Sequence, residues 1–587
     1  MSWVLKCQAW DTKANRCSLT CRKRRVKCDE TRPRCVTCAK SDRECLYASS
    51  TEPKSPSQPN GSDAASKSGS APAAESTATA SVVSPATTRK PFTGDLDPQL
   101  FTNSPELMFD SPLTNVNSMP SPNSAPLEWY DLLAEDATNN IDKYNLNLDL
   151  DRATLSRRQS PVSESAVGAV VHPGIQSPKH NGERAVRLHE QWNTPDNIPL
   201  TDDELHLLRH YISVIGPILD LCDPLKQFST TVPRLAVHNA GVLKSLLAVA
   251  ARHQALLVEP QQSQHPMFSP SQESNVADNN NMANPLLQVA TQYYYECLHY
   301  LSQNLLYPAY SKSQEIVATA LLISTYEMFD AEGECSNGAW ERHLRGIFWI
   351  QRSQNNNGEC KDALRRACWW QWIRQDIWVA FREGRRVLTI WRPTRRLMDL
   401  SPDELCLRIV YITGRCVDFA ANEKKYDITT RIDQGQKLLQ ALEDWYRALP
   451  PSFQPIYKVP SIEPGSLFTP IWVHPPSYAA AIQTFHFAKI IVLINQPSMG
   501  GMDEFRVRQR FLDESVETIC GIAMMHQSKD LPSAFVDYQA LYAAGLCVQD
   551  PNKQAAILQL LEKTLDITKY PPNSLLTDLT NYWRAES

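Results

Sequence analysis

Residues 16–47 read RCSLTCRKRRVKCDETRPRCVTCAKSDRECLY. Cys17, Cys21, Cys28, Cys35, Cys38 and Cys45 fall in the spacing C-x3-C-x6-C-x6-C-x2-C-x6-C, two similar halves joined by a six-residue loop that contains Pro33. The N-terminus lacks the apolar block of a signal peptide, so a dense cysteine cluster points to metal rather than to disulfides. Two zinc ions each want four soft ligands in a tetrahedron, eight ligand positions in all, and six sulfurs fill them if two of the sulfurs bridge. The expectation for this end of the chain is a small zinc-stabilised module holding two zinc ions.

Charge sets the same segment apart. Of 587 residues, the first 50 carry 12 Lys+Arg and 5 Asp+Glu, a net of +7, while the remaining 537 carry 47 against 59, a net of -12. A small basic end on an acidic body suits a polyanionic partner for the end and distance from it for the rest. Seven of the 16 cysteines lie within the first 45 residues. Cys7, separated from Cys21 by 13 residues, reads as a free thiol, and the nine beyond the cluster have no paired spacing and read as small buried hydrophobes.

Beyond the cluster the pattern thins. From Thr51 to Lys90, 27 of 40 residues are Ser, Pro, Thr or Ala and none is aromatic, too little apolar surface to offset the entropy of ordering. A disordered linker is expected over 51–183. Within it, Leu127–Asp151 (LEWYDLLAEDATNNIDKYNLNLDLD) mixes seven acidic residues with Trp129, Tyr130, Tyr144 and six leucines. Two readings fit: an acidic activation segment that offers its apolar side chains to a coactivator groove, or a short amphipathic helix that docks on the protein's own body.

The remainder, 184–587, reads as helical. Thr201 to Glu204 has the spacing of a capping box and precedes Leu205, Leu208, Ile212 and Ile215, which share one helical face. Similar stretches follow at 237–258, 285–306, 314–330, 339–354, 363–384, 403–421, 426–448, 475–495 and 503–528, divided by Pro, Gly or Asn-rich breaks. Strand alternation is rare, so a large all-α domain is expected. Seven of the 14 tryptophans lie between Trp340 and Trp391. Trp370, Ile373, Ile377 and Phe381 follow helical spacing and read as core, leaving Gln371, Arg374, Gln375 and Arg382 for the other sides.

The cluster resembles the zinc binuclear cluster of fungal transcription regulators, whose pattern is C-x2-C-x6-C-x5-12-C-x2-C-x6-8-C with a basic run after the second cysteine. Here that run is Arg22-Lys23-Arg24-Arg25-Val26-Lys27. The resemblance implies that Cys17 and Cys35 bridge, so that Cys17, Cys21, Cys28 and Cys35 hold one zinc and Cys17, Cys35, Cys38 and Cys45 the other. It implies that Arg24 and Arg25 read the bases of CGG-type triplets in double-stranded promoter DNA. Arginine suits guanine O6 and N7, and Arg22, Lys23 and Lys27 are better placed for phosphates. One departure stands: Cys17 and Cys21 enclose three residues where the family has two. An i,i+4 pair can still converge on one metal from a helical turn. The alternative is a regulatory or scaffold protein that has lost DNA binding and acts through its helical body.

The helical body, with its tryptophan-rich segments and STYEMFD at 324–330, resembles the fungal-specific transcription factor regulatory domain. Together the two resemblances imply a nuclear, zinc-dependent regulator of RNA polymerase II genes, pathway-specific in many relatives, such as regulators of metabolic or secondary-metabolite gene clusters. No heptads follow Tyr47, so a homodimer would form through the helical body. Enzymatic signatures are absent: no HExxH, GxSxG, Walker A or GxGxxG occurs, and His299 and His343 read as core histidines. No membrane partner is expected, because the best apolar run, Ala479–Ile494, is broken by His486 and Lys489.

Overall fold

The structure, a computed structural model, describes residues 126–134, 192–258, 285–330, 339–389, 391–422, 427–458, 467–526, 531–570 and 573–586, together with Lys40. Two compact units divide the chain, Met1–Thr93 with Arg584–Ser587, and Gly94–Trp583. The architecture that follows is that of the second unit.

Helix α1 (126–134) lies inside the acidic-aromatic segment, with Trp129, Tyr130, Leu133 and Ala134 buried and Glu128 exposed. Helix α2 (Asp202–His210) begins at the expected capping box: the Thr201 side chain accepts from the Glu204 amide while the Glu204 side chain accepts from the Thr201 amide. A five-residue π turn, Tyr211–Ile215, joins α2 to the short α3 (Gly216–Leu219). The buried face differs from the expected one. Leu207, Tyr211 and Ile215 are buried, whereas Leu205 and Ile212 are 36% and 39% exposed. The wider π turn has more residues per revolution, so positions four apart stay in line and Tyr211 takes the inward place expected of Ile212.

The body continues through α4 (Gln227–Ala236), α5 (Ala240–Val258), α6 (Pro285–Asn304), α7 (Gln314–Asp330), α8 (Ala339–Ser353), α9 (Ala363–Glu383), α10 (Pro402–Ala421) and α11 (Ile428–Ala448). An antiparallel pair of two-residue strands, β1 (Tyr457–Lys458) and β2 (Ile471–Trp472), precedes α12 (Pro476–Asn495), α13 (Met502–His526), α14 (Leu531–Gly545), α15 (Pro551–Thr568) and α16 (Asn573–Glu586). Helices α5 to α13 coincide with the nine expected stretches to within a few residues. Local chemistry explains several starts and stops. Asp362 caps α9 through the Arg365 amide, Ser401 and Glu404 form a second capping box ahead of Pro402, and Gly384, at φ 65°, ends α9 in the left-handed conformation.

Helix α5 packs against α6 and α7, and α12 packs against α10, α13 and α14. Helix α9 lies between these groups and touches α7, α8, α10 and α4. Its expected core residues Trp370, Ile373, Ile377 and Phe381 are buried. Gln371 and Gln375, expected on its other sides, are buried as well, because α9 is enclosed around most of its circumference. Gln375 meets its polar requirement by accepting from the Ser324 hydroxyl at 2.7 Å. Helices α5 and α12 are long and apolar enough to cross a membrane, but 72% of each apolar window is buried inside the protein, as befits core helices.

Candidate functional site

The six cysteines Cys17, Cys21, Cys28, Cys35, Cys38 and Cys45 and the basic residues Arg22, Lys23, Arg24, Arg25 and Lys27 lie outside the described residues. Among the described residues, no three His, Cys, Asp or Glu side chains group to hold a metal ion. Cys297, Cys368, Cys406, Cys416 and Cys520 are buried, as expected of small hydrophobes, and burial pushes their thiols up, away from the reactive thiolate, whereas Cys222, Cys360 and Cys547 are only partly buried. Cys335 lies outside the described residues. His343 is 1% exposed, with Nδ1 3.6 Å from Glu327, while His299 is half-buried and bonds Gln303 at 2.9 Å.

The body carries a cleft of about 530 Å³ between α9, α10 and the segment from Gly358 to Lys361. Trp370 forms one wall, its indole N–H donating to the Gly358 carbonyl at 3.1 Å, and Trp391 meets it edge to face at 5.8 Å between centroids. Several charged groups of the cleft are held by partners within it. Arg395 bonds Glu404, and Glu359 accepts from the Thr394 and Arg395 amides. Arg366 and Arg408 donate to the carbonyls of Cys360 and Arg395, and Arg374 to the neutral Gln371 amide. Burial draws Arg408 below its ordinary value. An aromatic wall with three guanidiniums facing neutral partners can take a ligand that has a flat apolar body and an acidic group.

Two buried carboxylates hold the segment that carries Trp391. Asp376 of α9, fully buried, accepts from the Leu388 amide at 2.6 Å and pairs with Arg385 at 2.9 Å. Asp418 of α10 accepts from the Val387 amide at 2.9 Å and pairs with Arg415 at 2.7 Å. Burial pushes both carboxyls up, and the facing arginines oppose that rise. The chain leaving α9 is thus anchored by buried charges rather than by regular secondary structure.

A second site is occupied by the protein itself. Trp129 of α1 is fully buried against α8 at Gly346, where a Cβ would lie 2.1 Å from the indole Cδ1. Tyr130 hydrogen-bonds Ser302 of α6, and burial pushes its phenol up. The docked-helix reading of the acidic-aromatic segment therefore describes 126–134, while residues 135–151 lie outside the described residues. Periodicity gave no sign of this cradle: Gly346 appears in the sequence as an unremarked position within a tryptophan-rich helix.

The fungal Zn(2)-Cys(6) binuclear cluster domain matches residues 17–54, and the fungal specific transcription factor domain matches residues 206–358. Both matched domains are those of fungal Zn2Cys6 transcription factors, which are regulators rather than enzymes, and the chain is similar to that family over these two stretches. It is similar to the transcription activator AMTR1 of Alternaria alternata, 22% identical over 32% of this chain and 32% of the relative. It is also similar to the transcriptional regulatory protein moc3 of Schizosaccharomyces pombe, 67% identical over 27 residues, 5% of each chain. The matched stretches thus span about a third and about a twentieth of those relatives. No solved structure matches the chain. The cluster domain implies zinc binding, and a donor set of six soft thiolates fits that metal.

Proposed function

We propose that this protein is a nuclear, sequence-specific DNA-binding regulator of RNA polymerase II transcription. The observation that carries the reading is the six-cysteine segment with its basic run, matched as a binuclear cluster over 17–54. Cys17, Cys21, Cys28, Cys35, Cys38 and Cys45 would hold two zinc ions, which supply the fold that so short a segment cannot build by apolar burial. Arg24 and Arg25 read guanines of CGG-type triplets, while Arg22, Lys23 and Lys27 grip phosphates and set a steep salt dependence. The segment 127–151 contacts a coactivator, in keeping with the relative whose name marks it as an activator. The helical body supplies regulation and any homodimer contact, and the output is one pathway's genes, such as a metabolic or secondary-metabolite cluster.

Native mass spectrometry of the full chain, with and without chelator, and titration of a CGG-containing duplex at two salt concentrations test the proposal. Two zinc ions and CGG-preferring binding are expected. Arg24→Ala should cost about 1–3 kcal/mol on the specific duplex and little on a scrambled one. The three-residue interval between Cys17 and Cys21 favours the second reading, a regulator that acts by protein contacts alone. One zinc or none, with only salt-sensitive nonspecific binding, would establish that reading instead.

A further inference from the structure

We propose that the groove between α6 and α8 masks the activation segment, so that docking on the body and contact with a coactivator exclude each other. The inference rests on the reading of 127–151 as an activation segment and names its regulation. An acidic-aromatic segment engages a partner through its apolar side chains, since those are what a coactivator groove buries. In this protein those side chains are already buried: Trp129 and Leu133 are fully inside, and Tyr130 is 6% exposed. Glu128 faces solvent. One helical face cannot lie in two grooves at once, so a partner that takes Trp129 must first displace α1 from Gly346 and Ser302.

The docked state is built to be left. The Trp129 indole N–H is buried without a hydrogen-bond acceptor, so docking withdraws it from water with no replacement. Within the described residues 126–134 the helix turns Trp129, Tyr130, Leu133 and Ala134 inward, so α1 is held by tertiary contacts, the usual source of helix stability in proteins. Burial of four apolar side chains on one side, against an unmet donor and the ordering of nine residues on the other, makes a contact that a competing groove can exchange. The fit at Gly346 is close enough that any side chain there would evict the indole.

The test uses the full chain with a promoter reporter and limited chymotrypsin cleavage, which reads exposure of Trp129, Tyr130 and Leu133. Gly346→Ala and Ser302→Ala both alter the groove and leave the segment's sequence intact. Gly346→Ala should raise early cleavage within 127–134 and raise reporter output at least about threefold, Ser302→Ala should do both more weakly, and DNA affinity should stay unchanged. Deleting 127–151 in the Gly346→Ala background should abolish the gain. Continued protection of 127–134 in Gly346→Ala would overturn the docking geometry. Cleavage without a reporter gain, when the deletion still lowers output, would overturn masking and leave the activation segment standing. A deletion without effect in that background would instead remove the activation reading. If Gly346→Ala lowers the melting temperature of the body, Ser302→Ala decides by the same readouts.

Discussion

Arg431 offers the sharpest test of how the body holds together. It lies in the first turn of α11 yet is 2% exposed, and its guanidinium donates to the Phe419 carbonyl in the last turn of α10 and, at 2.8 Å, to the Asn495 carbonyl at the end of α12. Its Cζ stands 3.9 Å from the Phe419 ring centroid. The last carbonyls of a helix have no partner within it, and the negative end of the dipole favours a cation, so one side chain closes two helix ends on a third helix. Replacing Arg431 by Met keeps the stem's packing and removes the donors. Two charge-assisted bonds at about 1.5–3 kcal/mol each, less the relief of no longer burying a charge, give a loss of about 3 kcal/mol. At about 2 °C per kcal/mol for a large helical body, the melting temperature should fall by about 6 °C. Urea unfolding followed by near-UV circular dichroism measures this directly, because the loss must appear in the midpoint. Arg447→Met, on the same helix but half exposed with surface partners Glu443 and Asp444, is the control and should cost under about 0.5 kcal/mol. If Arg431→Met costs under about 1 kcal/mol, or no more than the control, the argument that helix ends anchor this junction is refuted.

Acidification should destabilise the body. Burial draws His253 and His486 down to about 3, so their neutral forms favour the fold: that contribution is complete above pH 6.5 and is lost as pH falls toward 3. Asp220, raised by burial to about 6, has the opposite sign, its contribution being complete below pH 3.8 and lost as pH rises through 6. Between pH 7 and pH 5 each histidine should cost about 2 kcal/mol and Asp220 return about 1, a net loss of about 3 kcal/mol, seen as a lower melting temperature at pH 5. His486→Gln should remove a large share of that slope, and a melting temperature flat over this range would contradict the burial argument. Gly521→Ala would set a methyl 2.4 Å from the Thr469 backbone carbonyl and should cost about 1–3 kcal/mol, whereas Gly501→Ala, with nothing within 4 Å, should be neutral in the same melt.

What could be read from the residues alone was whatever is local. Six cysteines within 29 residues declare their chemistry by spacing, and the capping box at Thr201 and the Trp370-to-Phe381 stripe declare helices by period. Helix α14 escaped notice because it is buried nearly all round, from Ser533 to Gly545, and so shows no amphipathic period. The face of α2 was misjudged for a related reason: a π turn alters the period on which the reading relies. Gln375 looked like a surface residue because nothing nearby in sequence announces that Ser324 will meet it.

The acidic-aromatic segment shows where such reasoning stops and why. Its composition supports a partner groove and a groove of its own equally well, because both demand the same apolar face with acids on the other side. What separates them is complementarity at a distant position: Gly346 leaves room for one indole, and Ser302 meets one phenol. Neither residue is informative by itself, since a glycine in a helix and a serine near its end have many uses. The two acquire meaning together, when the fold brings α6 and α8 to the same side of Trp129. A segment that is acidic, aromatic and seated in a self-supplied groove with one donor unmet is therefore better understood as an exchangeable ligand of its own body than as either linker or core. Under the masking proposal the control of output lies in the competition for Trp129, and Gly346 is the residue through which the body sets that competition.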